Sequence, residues 1–130
     1  MKDPTFLSLE QVLEIHKMQL QEFGGQDGIR DPNALEAAIA QAEVGFGDQY
    51  FHAFPFGMAA AYAFHIAESQ AFVDGNKRTG LNAALTFLDL NAIQLESTAK
   101  LFQAMIDIGS KRLTKDGLAE ILRSLSVTSS

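Results

Sequence analysis

The residues best suited to chemistry lie between Gln70 and Arg78, in the segment QAFVDGNKR. Gly75 permits a positive φ, and the helical pattern that starts at Asn76 leaves unpaired N–H groups in its first turn. Amides in this arrangement, behind a glycine, form a nest that binds anions. Lys77 and Arg78 fall in the same turn, where the helix dipole disfavours each cation by about 0.3–1 kcal/mol. We therefore expect the two side chains to face an external anion, and phosphate is the predicted ligand.

Asp74 stands directly before this nest. One carboxylate together with phosphate oxygens is a common way for a protein to hold Mg²⁺, so Asp74 is the candidate metal ligand. Phe72 is expected to be buried and to pin the loop. Residue types alone leave a second interpretation open, in which an ordinary helix starts after a glycine and carries a solvated basic turn. The only other adjacent basic pair is Lys111–Arg112.

The composition limits the classes of protein to which the chain can belong. With 130 residues, 47% of them apolar and 20% charged, the chain predicts a single globular domain over 1–130. Cysteine is absent, which excludes disulfides, thiolate metal sites and cysteine nucleophiles. Ten basic and sixteen acidic residues give a net charge of −6, which argues against direct binding of nucleic acid.

No segment predicts a membrane or a secretory destination. The opening residues MKDPTFLSLE lack the apolar stretch of a signal peptide. The longest weakly polar run, over 54–67, contains His65 and is too short to cross a bilayer. We therefore expect a cytoplasmic protein without membrane contact. Its core is predicted over about 6–125, with a frayed polar tail at 126–130.

Capping residues and hydrophobic spacing predict an all-α fold of about six helices. Ser8 with Gln11 resembles a capping box at the start of the first helix. Asp31 followed by Pro32 is typical of an N-cap and a first helical position. Both helices then show apolar residues at helical spacing.

The later helices are predicted from the same signals. Helical patterns run over 56–69 and 76–90, and Thr114 is expected to cap the last helix. Ser97 or Thr98 is expected to open the helix between them, with an apolar stripe of Leu101, Phe102, Met105 and Ile106. The segment 44–54 carries glycines and aromatic residues without a helical stripe, which predicts a loop or a short hairpin.

The segment at 70–78 resembles the signature of the Fic/Doc family, written His-x-Phe-x-Asp/Glu-Gly/Ala-Asn-Gly/Lys-Arg. The likeness continues over about 6–125, in the order found in the death-on-curing (Doc) branch. It is carried by FLSLEQVLEIH, FGGQDGIRDPNALEAAIAQ, FGDQYFH and NKRTGLNAALTFLDLNA. The resemblance implies a helical domain whose signature loop and following helix bind the phosphates of a nucleotide.

Two positions choose between the chemistries of this family. Adenylylating members usually have Gly where this chain has Lys77, and a second Arg where it has Leu81. The combination seen here is similar to the Doc pattern. It implies a toxin that transfers the γ-phosphoryl group of ATP to a threonine of elongation factor Tu. A lysine in the nest is a point charge that can hold phosphates.

The resemblance also implies ATP and Mg²⁺ as cofactors and assigns roles to individual residues. Asp74 would hold Mg²⁺, Phe72 would be structural and Asn82 would face the cleft. The phosphate contacts would come from Gly75, Asn76, Lys77 and Arg78. The segment 45–54 would be the family's target-docking flap, with Tyr50, Phe51 and His52 as its candidate contacts. The alternative for this segment is an ordinary surface loop anchored by its aromatic side chains.

Gln70 occupies the position of the family's catalytic histidine, which takes the proton from the target hydroxyl. A carboxamide does not titrate near neutral pH and cannot act as a general base, although it can orient a hydroxyl. Loss of a general base typically costs about 10²–10⁴ in rate. Phosphoryl transfer depends mainly on positioning and charge stabilisation, so a weakened kinase is expected. An adenylyl transferase and an inactive nucleotide- or antitoxin-binding module remain alternatives.

None of the three histidines is expected to replace the missing base. His65 lies five positions before Gln70, about 140° around a helix, and its apolar neighbours favour a core role. His16 falls on the buried stripe of the first helix, with the same interpretation. His52 is the one that could swing over the cleft. Their spacing does not predict a zinc site.

The resemblance implies an antitoxin as partner, with a disordered tail that folds into a groove of the toxin. Some family members instead carry an inhibitory helix with the pattern Ser/Thr-x-x-x-Glu-Gly/Asn. No glutamate of this chain is followed by Gly or Asn, so that pattern is absent. Inhibition is therefore expected to come from a separate protein, and the expected target is a translation factor.

Overall fold

Six α-helices joined by turns make up residues 3–127, the part of the chain that this computed structural model describes. They are α1 (Leu9–Phe23), α2 (Pro32–Ala40), α3 (Phe56–Ser69), α4 (Asn76–Leu90), α5 (Leu101–Gly109) and α6 (Lys115–Leu125). A 3₁₀ turn (Gln41–Glu43) follows α2, and a two-stranded antiparallel hairpin, β1 (Gly45–Phe46) and β2 (Gln49–Tyr50), precedes α3. The predicted all-α class with a short hairpin is confirmed.

Side chains outside the helices fix where three of them begin. The Ser8 hydroxyl accepts from the Gln11 N–H, and the Gln11 amide oxygen accepts from the Ser8 N–H, which completes a capping box. Asp31 accepts from the Ala34 N–H at the start of α2, and Thr114 does the same for Gly117 in α6. These three helix starts are confirmed as predicted.

Helices α3 and α4 form the centre of the core. The α3 side chains from Met58 to Ala63 are all buried, as expected of a helix that is apolar all round. Gly80 lets the two backbones approach closely, because a Cβ at that position would stand 2.6 Å from the Ala63 carbonyl oxygen. Among residues 3–127, no helix has the length and apolar composition needed to cross a membrane.

Helix α5 begins later than its predicted start. Its first residue is Leu101, with Lys100 at the N-cap and no side-chain cap. The Ser97 hydroxyl instead accepts from the Ala99 N–H in the preceding turn. The apolar stripe also differs from the prediction, since Ile106 is 41% exposed. The buried positions follow the i, i+3, i+4, i+7 spacing of one helix face: Leu101, Ala104, Met105 and Ile108.

The two described residues after α6 form backbone contacts with the segment before α5. Ser126 bridges to Leu95, and the Val127 N–H donates to the Gln94 carbonyl over 2.8 Å. The predicted frayed tail therefore does not include these two residues. The rest of that predicted tail, 128–130, lies outside the described residues.

Candidate functional site

The loop between α3 and α4 turns through two residues in the left-handed region. Gln70 ends α3 with φ 49°, and Gly75 precedes α4 with φ 82°. Gly75 meets the predicted need for a positive φ without a Cβ penalty. The loop has very little freedom between these two points, because it is tied on one side to α1 and on the other to the segment before α2.

Backbone pairing joins this loop to the segment 28–31. Phe72 and Ile29 form an antiparallel bridge, and the Val73 N–H donates to the Gly28 carbonyl over 3.0 Å. The N–H groups of Arg30 and Asp31 both donate to the Ala71 carbonyl. Phe72 is fully buried beneath the loop, which agrees with its predicted role as an anchor.

His16 supports the loop from α1. Its ring stacks on Phe72, with centroids 3.7 Å apart and planes within 8°. Its Nε2 lies 2.8 Å from the Asp74 carbonyl oxygen, and Nε2 must donate because a carbonyl only accepts. His16 is buried, which confirms its interpretation as a core histidine. Its ring also holds the backbone of the residue that precedes the nest.

The Asn76 side chain closes the loop. Its Oδ1 accepts from the Phe72 N–H over 3.0 Å, and its Nδ2 donates to the Phe72 carbonyl over 3.0 Å. These two bonds use the amide in holding the loop against the start of α4. The group of Asn76 that remains available to bind a ligand is therefore its backbone N–H.

Four successive backbone amides at the start of α4 are free. Within residues 3–127, the N–H groups of Gly75, Asn76, Lys77 and Arg78 donate to no protein acceptor, and the first bond of the helix runs from the Thr79 N–H to the Gly75 carbonyl. Unpaired amides that point out of a helix start carry partial positive charge. They form the nest that the sequence predicts.

Both cations of the first turn are also without an acidic partner in the described part of the chain, where the ion pairs are Lys111–Glu68 and Arg123–Glu120. Lys77 is exposed and passes over Gly109 at the end of α5. The Arg78 guanidinium lies between two aromatic rings, 3.7 Å from the Phe23 centroid and 4.1 Å from the Phe102 centroid.

Asp74 is exposed beside the nest. Its Oδ2 accepts from the Gln26 N–H over 2.7 Å, which orients the carboxylate, and no donor of the described residues forms a hydrogen bond to Oδ1. Residues 3–127 contain no group of three or more His, Asp or Glu side chains placed to hold a metal. A single oriented carboxylate suits Mg²⁺ when phosphate oxygens and water fill its remaining positions. The donor set therefore fits a Mg²⁺ that arrives with a polyphosphate.

A surface groove of about 590 Å³ brings most of the predicted site together. Its wall carries six predicted residues: Gln70, Asp74, Gly75, Asn76, Lys77 and Arg78. Gln70 is exposed at one side of it. Asn82, which was predicted to face the cleft, does not line the groove, and its amide donates to the Arg78 carbonyl of its own helix over 2.9 Å.

The hairpin lies outside this groove. Tyr50 and Phe51 are exposed, at 44% and 79%, whereas His52 is buried with its ring 6.4 Å from that of His65. His52 therefore does not cover the groove as the sequence suggested. Lys115 Nζ lies 3.1 Å from His65 Nε2 and donates to it. Burial, then the Lys115 charge, lowers the pKa of both histidines, that of His65 to about 4.

The groove also has lining residues that were not predicted for the site, among them Gln19, Phe23 and Phe102. Gln19 lines it from α1, as does Phe23, and Phe102 lines it from α5. Gln19 is 8% exposed, and its amide makes no hydrogen bond within the described residues. The aromatic residues gave no local signal, since Phe23 ends a helix and Phe102 falls on an apolar stripe. Only the packing of α1, α4 and α5 brings them together.

Comparison with known proteins agrees with this geometry. The family profile described as "Fic/DOC family" matches residues 6–88. A "Protein kinase doc" of Escherichia phage P1 is 29% identical over 119 residues, which cover 92% of this chain and 94% of the relative. A "Toxin Doc" of Mycolicibacterium smegmatis is 40% identical over 96 residues, which cover 72% of each. The residues that the family profile matches include the complete loop, the nest and α4 as far as Leu88, and the chain belongs to the Fic/Doc family, in its Doc branch.

Proposed function

We propose that the chain is a Doc-like toxin that binds Mg²⁺–ATP in the groove. It transfers the γ-phosphoryl group to a Ser or Thr hydroxyl of a protein such as elongation factor Tu, at a rate that Gln70 lowers. The observation that carries this proposal is the convergence of four free amides and two unpaired cations on one groove. A surface of this kind inside a chain of net charge −6 is suited to a polyanion.

The groove residues 74–78 each have a part in holding the triphosphate. The amides of 75–78 donate to phosphate oxygens, and Lys77 adds a mobile charge. Arg78 adds in-plane N–H donors that match the oxygens of a phosphate. Asp74 would hold Mg²⁺, which supplies charge neutralisation on the transferred group when bound. In phosphoryl transfer, positioning and charge stabilisation provide most of the catalysis.

Gln70 is the point at which the site departs from a full kinase. Its side chain is exposed at the groove, where its amide oxygen can accept a hydrogen bond from a substrate hydroxyl. That contact orients the hydroxyl but removes no proton, because an amide is not a base near neutral pH. The hydroxyl proton then leaves to solvent or to the transferred phosphoryl group. The expected result is a slow enzyme.

The name of one relative favours phosphoryl transfer over adenylyl transfer, since the phage P1 protein is called a protein kinase. Lys77 and Leu81 favour it as well, because they match the Doc pattern. An adenylyl transferase would place the α-phosphate at the reacting position. An inactive module would bind Mg²⁺–ATP or an antitoxin and transfer nothing.

The name of the Mycolicibacterium smegmatis relative, "Toxin Doc", supports the proposal that this chain acts as a toxin. A toxin of this kind is held in check by an antitoxin, and the expected partner has a disordered tail that folds on binding. Its target, a translation factor, places the protein in the cytoplasm.

The choice of labelled phosphate separates the three functions. The protein is incubated with purified elongation factor Tu, Mg²⁺ and ATP labelled at either the γ- or the α-position. We expect transfer of the γ label alone. Transfer of the α label would establish the adenylyl transferase instead. Measurable binding of Mg²⁺–ATP with no transfer by any variant would establish the inactive module.

Gln70→His restores the family's base and serves as the matched gain-of-function variant. Histidine is among the residues that tolerate the left-handed conformation of position 70, so the loop is expected to keep its shape. We expect γ-label transfer to rise by about 10²–10⁴. No rise with elongation factor Tu would contradict the assignment of Gln70, of the target, or of both, and an array of candidate proteins labelled by Gln70→His distinguishes these cases.

A further inference from the structure

Three helices meet at the Arg78 side chain. Arg78 lies in the first turn of α4, Phe23 is the last residue of α1, and Phe102 lies in the first turn of α5. The guanidinium carbon is 3.7 Å from the Phe23 centroid and 4.1 Å from the Phe102 centroid. Both distances are within the range of a cation–π contact. Phe23 and Phe102 are called here the aromatic clamp.

Contact with the aromatic clamp does not use the hydrogen-bond donors of the guanidinium. The N–H donors of a guanidinium lie in its plane, so stacked rings do not use them. Among residues 3–127, Arg78 forms no ion pair and its guanidinium donates no hydrogen bond. Arg78 is therefore in contact with two rings while its full set of donors remains available to a ligand of the groove.

The exposure of Phe23 argues against a purely structural role for the clamp. Phe23 is 52% exposed, and Phe102 is partly buried. A half-exposed phenylalanine contributes less to the stability of the core than a buried one. Both rings line the groove beside the cation that they stack on.

We propose that Phe23 and Phe102 are positioning residues, which hold the Arg78 guanidinium with its edge toward the phosphates of the groove ligand. The proposal rests on the proposed function, since it requires a polyphosphate in the groove. A long side chain that is ordered before binding loses less freedom on binding, so the clamp raises affinity without touching the phosphate. The clamp also connects α1 and α5 to the first turn of α4.

Affinity for Mg²⁺–ATP in Phe23→Leu and Phe102→Leu tests the clamp. Leucine keeps the apolar character and removes the ring face. We expect each variant to weaken binding about 3- to 10-fold by calorimetry, with a thermal midpoint close to that of the wild type. Phe23→Tyr and Phe102→Tyr keep a ring and are expected to bind within about twofold of the wild type. Equal losses in the Leu and Tyr variants would overturn the proposal.

Phe56→Leu is the matched control. Phe56 also faces an arginine, with the Arg123 guanidinium carbon 5.5 Å from its centroid, and neither residue lines the groove. Phe56→Leu is expected to leave the affinity for Mg²⁺–ATP unchanged. A loss of affinity in this variant equal to that in Phe23→Leu would show a general effect of losing a ring and would overturn the clamp.

A double-mutant cycle distinguishes positioning from packing. Without Arg78 the clamp has nothing to orient, so Phe23→Leu is expected to have no further effect on affinity in an Arg78→Ala background. Additive losses would overturn the proposal. Binding of inorganic triphosphate, which has no base, distinguishes the clamp from an alternative in which the two rings stack on the nucleobase of ATP. The clamp predicts the same relative loss for triphosphate as for ATP, and a loss confined to ATP would overturn it.

Failure of the clamp and failure of the proposed function give different results. Wild-type protein that binds neither Mg²⁺–ATP nor triphosphate would contradict the proposed function, and the clamp with it. A different result would overturn the clamp alone. In that case the wild type binds the ligand and Arg78→Ala weakens binding, but Phe23→Leu and Phe102→Leu leave the affinity unchanged.

Discussion

At the scale of single residues, two asparagines of α4 illustrate how position decides a role. Asn76 makes two hydrogen bonds to the Phe72 backbone, across the loop that carries the nest. Asn82 donates within its own helix, to the Arg78 carbonyl. The Asn76 amide therefore connects the loop to the start of α4, whereas the Asn82 amide bonds only within α4. The two residues have the same side chain in the same helix and form a matched pair for mutation.

Asn76→Ala is expected to lower the free energy of unfolding by about 1–3 kcal/mol, because it leaves the part-buried Phe72 amide and carbonyl without partners. Binding of Mg²⁺–ATP is expected to weaken as well, since the nest loses its shape. Asn82→Ala is expected to change stability by less than about 0.5 kcal/mol. Urea denaturation measures both, and equal effects of the two variants would contradict the role given to Asn76.

Lys77→Ala is expected to weaken binding of Mg²⁺–ATP about tenfold, because Lys77 is one of the two cations at the nest that have no acidic partner within residues 3–127. Lys111→Ala is the control, since Lys111 is exposed and its ammonium already pairs with Glu68 over 2.6 Å. Its effect is expected to stay within about twofold, because an exposed pair contributes little. Similar losses in the two variants by calorimetry would show a general effect of net charge and would refute the nest.

The sequence was sufficient to predict site residues that lie close together along the chain. Gly75, Lys77 and Asp74 stand within one turn of each other, so their relation is fixed by chain connectivity. Phe23 and Phe102 lie far apart along the chain, and their contact with Arg78 arises from the packing of three helices. Spacing along one segment carries no information about such a contact, so the aromatic clamp was missed.

At the scale of elements, the close pairing of α3 and α4 positions the loop between them. Gly80 is the contact point, with the Ala63 carbonyl oxygen 2.6 Å and the Ala67 nitrogen 3.3 Å from where a Cβ would stand. Both are backbone atoms, so neither can move aside alone. A side chain at this position must push the two helices apart and thereby change the geometry of the groove.

Gly80→Ala is expected to lower the free energy of unfolding by about 1–3 kcal/mol through this overpacking, even though alanine favours helices. Gly57→Ala is the matched control in α3, because its Cβ would meet Ala53 at an ordinary 3.5 Å. It is expected to be neutral or to stabilise by up to about 1 kcal/mol. A Gly80→Ala variant as stable as Gly57→Ala in urea would contradict the close approach of the helices.

The helix starts show which elements a sequence can predict. Ser8, Asp31 and Thr114 each satisfy an amide three positions later, so a local signal marks the boundary. The start of α5 has no side-chain cap, and Ser97 gives the same signal in a turn that does not continue into a helix. Packing of Leu101 into the core decides that boundary, and packing is not visible in a short segment.

At the scale of the whole molecule, buried His52 and half-buried His65, which lie beside Lys115, link stability to pH. The pKa of His65 is lowered to about 4 by burial, with the charges of Lys115 and His52 adding to it, and the pKa of His52 is lowered as well. In the unfolded chain both return to about 6.5. Between these values the unfolded chain binds more protons, so stability falls as the pH falls through that window.

The free energy of unfolding is therefore expected to drop by about 1–2 kcal/mol more between pH 7 and pH 5 in the wild type than in His65→Gln. Lys115→Gln is expected to give a shallower dependence than the wild type, because the pKa of His65 rises toward its usual value. Lys100→Gln changes the same net charge elsewhere and is expected to keep the wild-type slope. Urea denaturation at several pH values measures the free energy of unfolding of all four proteins. The same pH dependence in all four would refute the role given to the histidines.

The central claim is that the four free amides at the start of α4 bind the triphosphate of a nucleotide. A crystal structure with Mg²⁺ and a non-hydrolysable ATP analogue tests this claim most directly. We predict phosphate oxygens at about 2.7–3.2 Å from the nitrogens of 75–78, with Asp74 on the metal and the Arg78 edge on the phosphates. A triphosphate bound elsewhere, with these amides facing only water, would contradict the account.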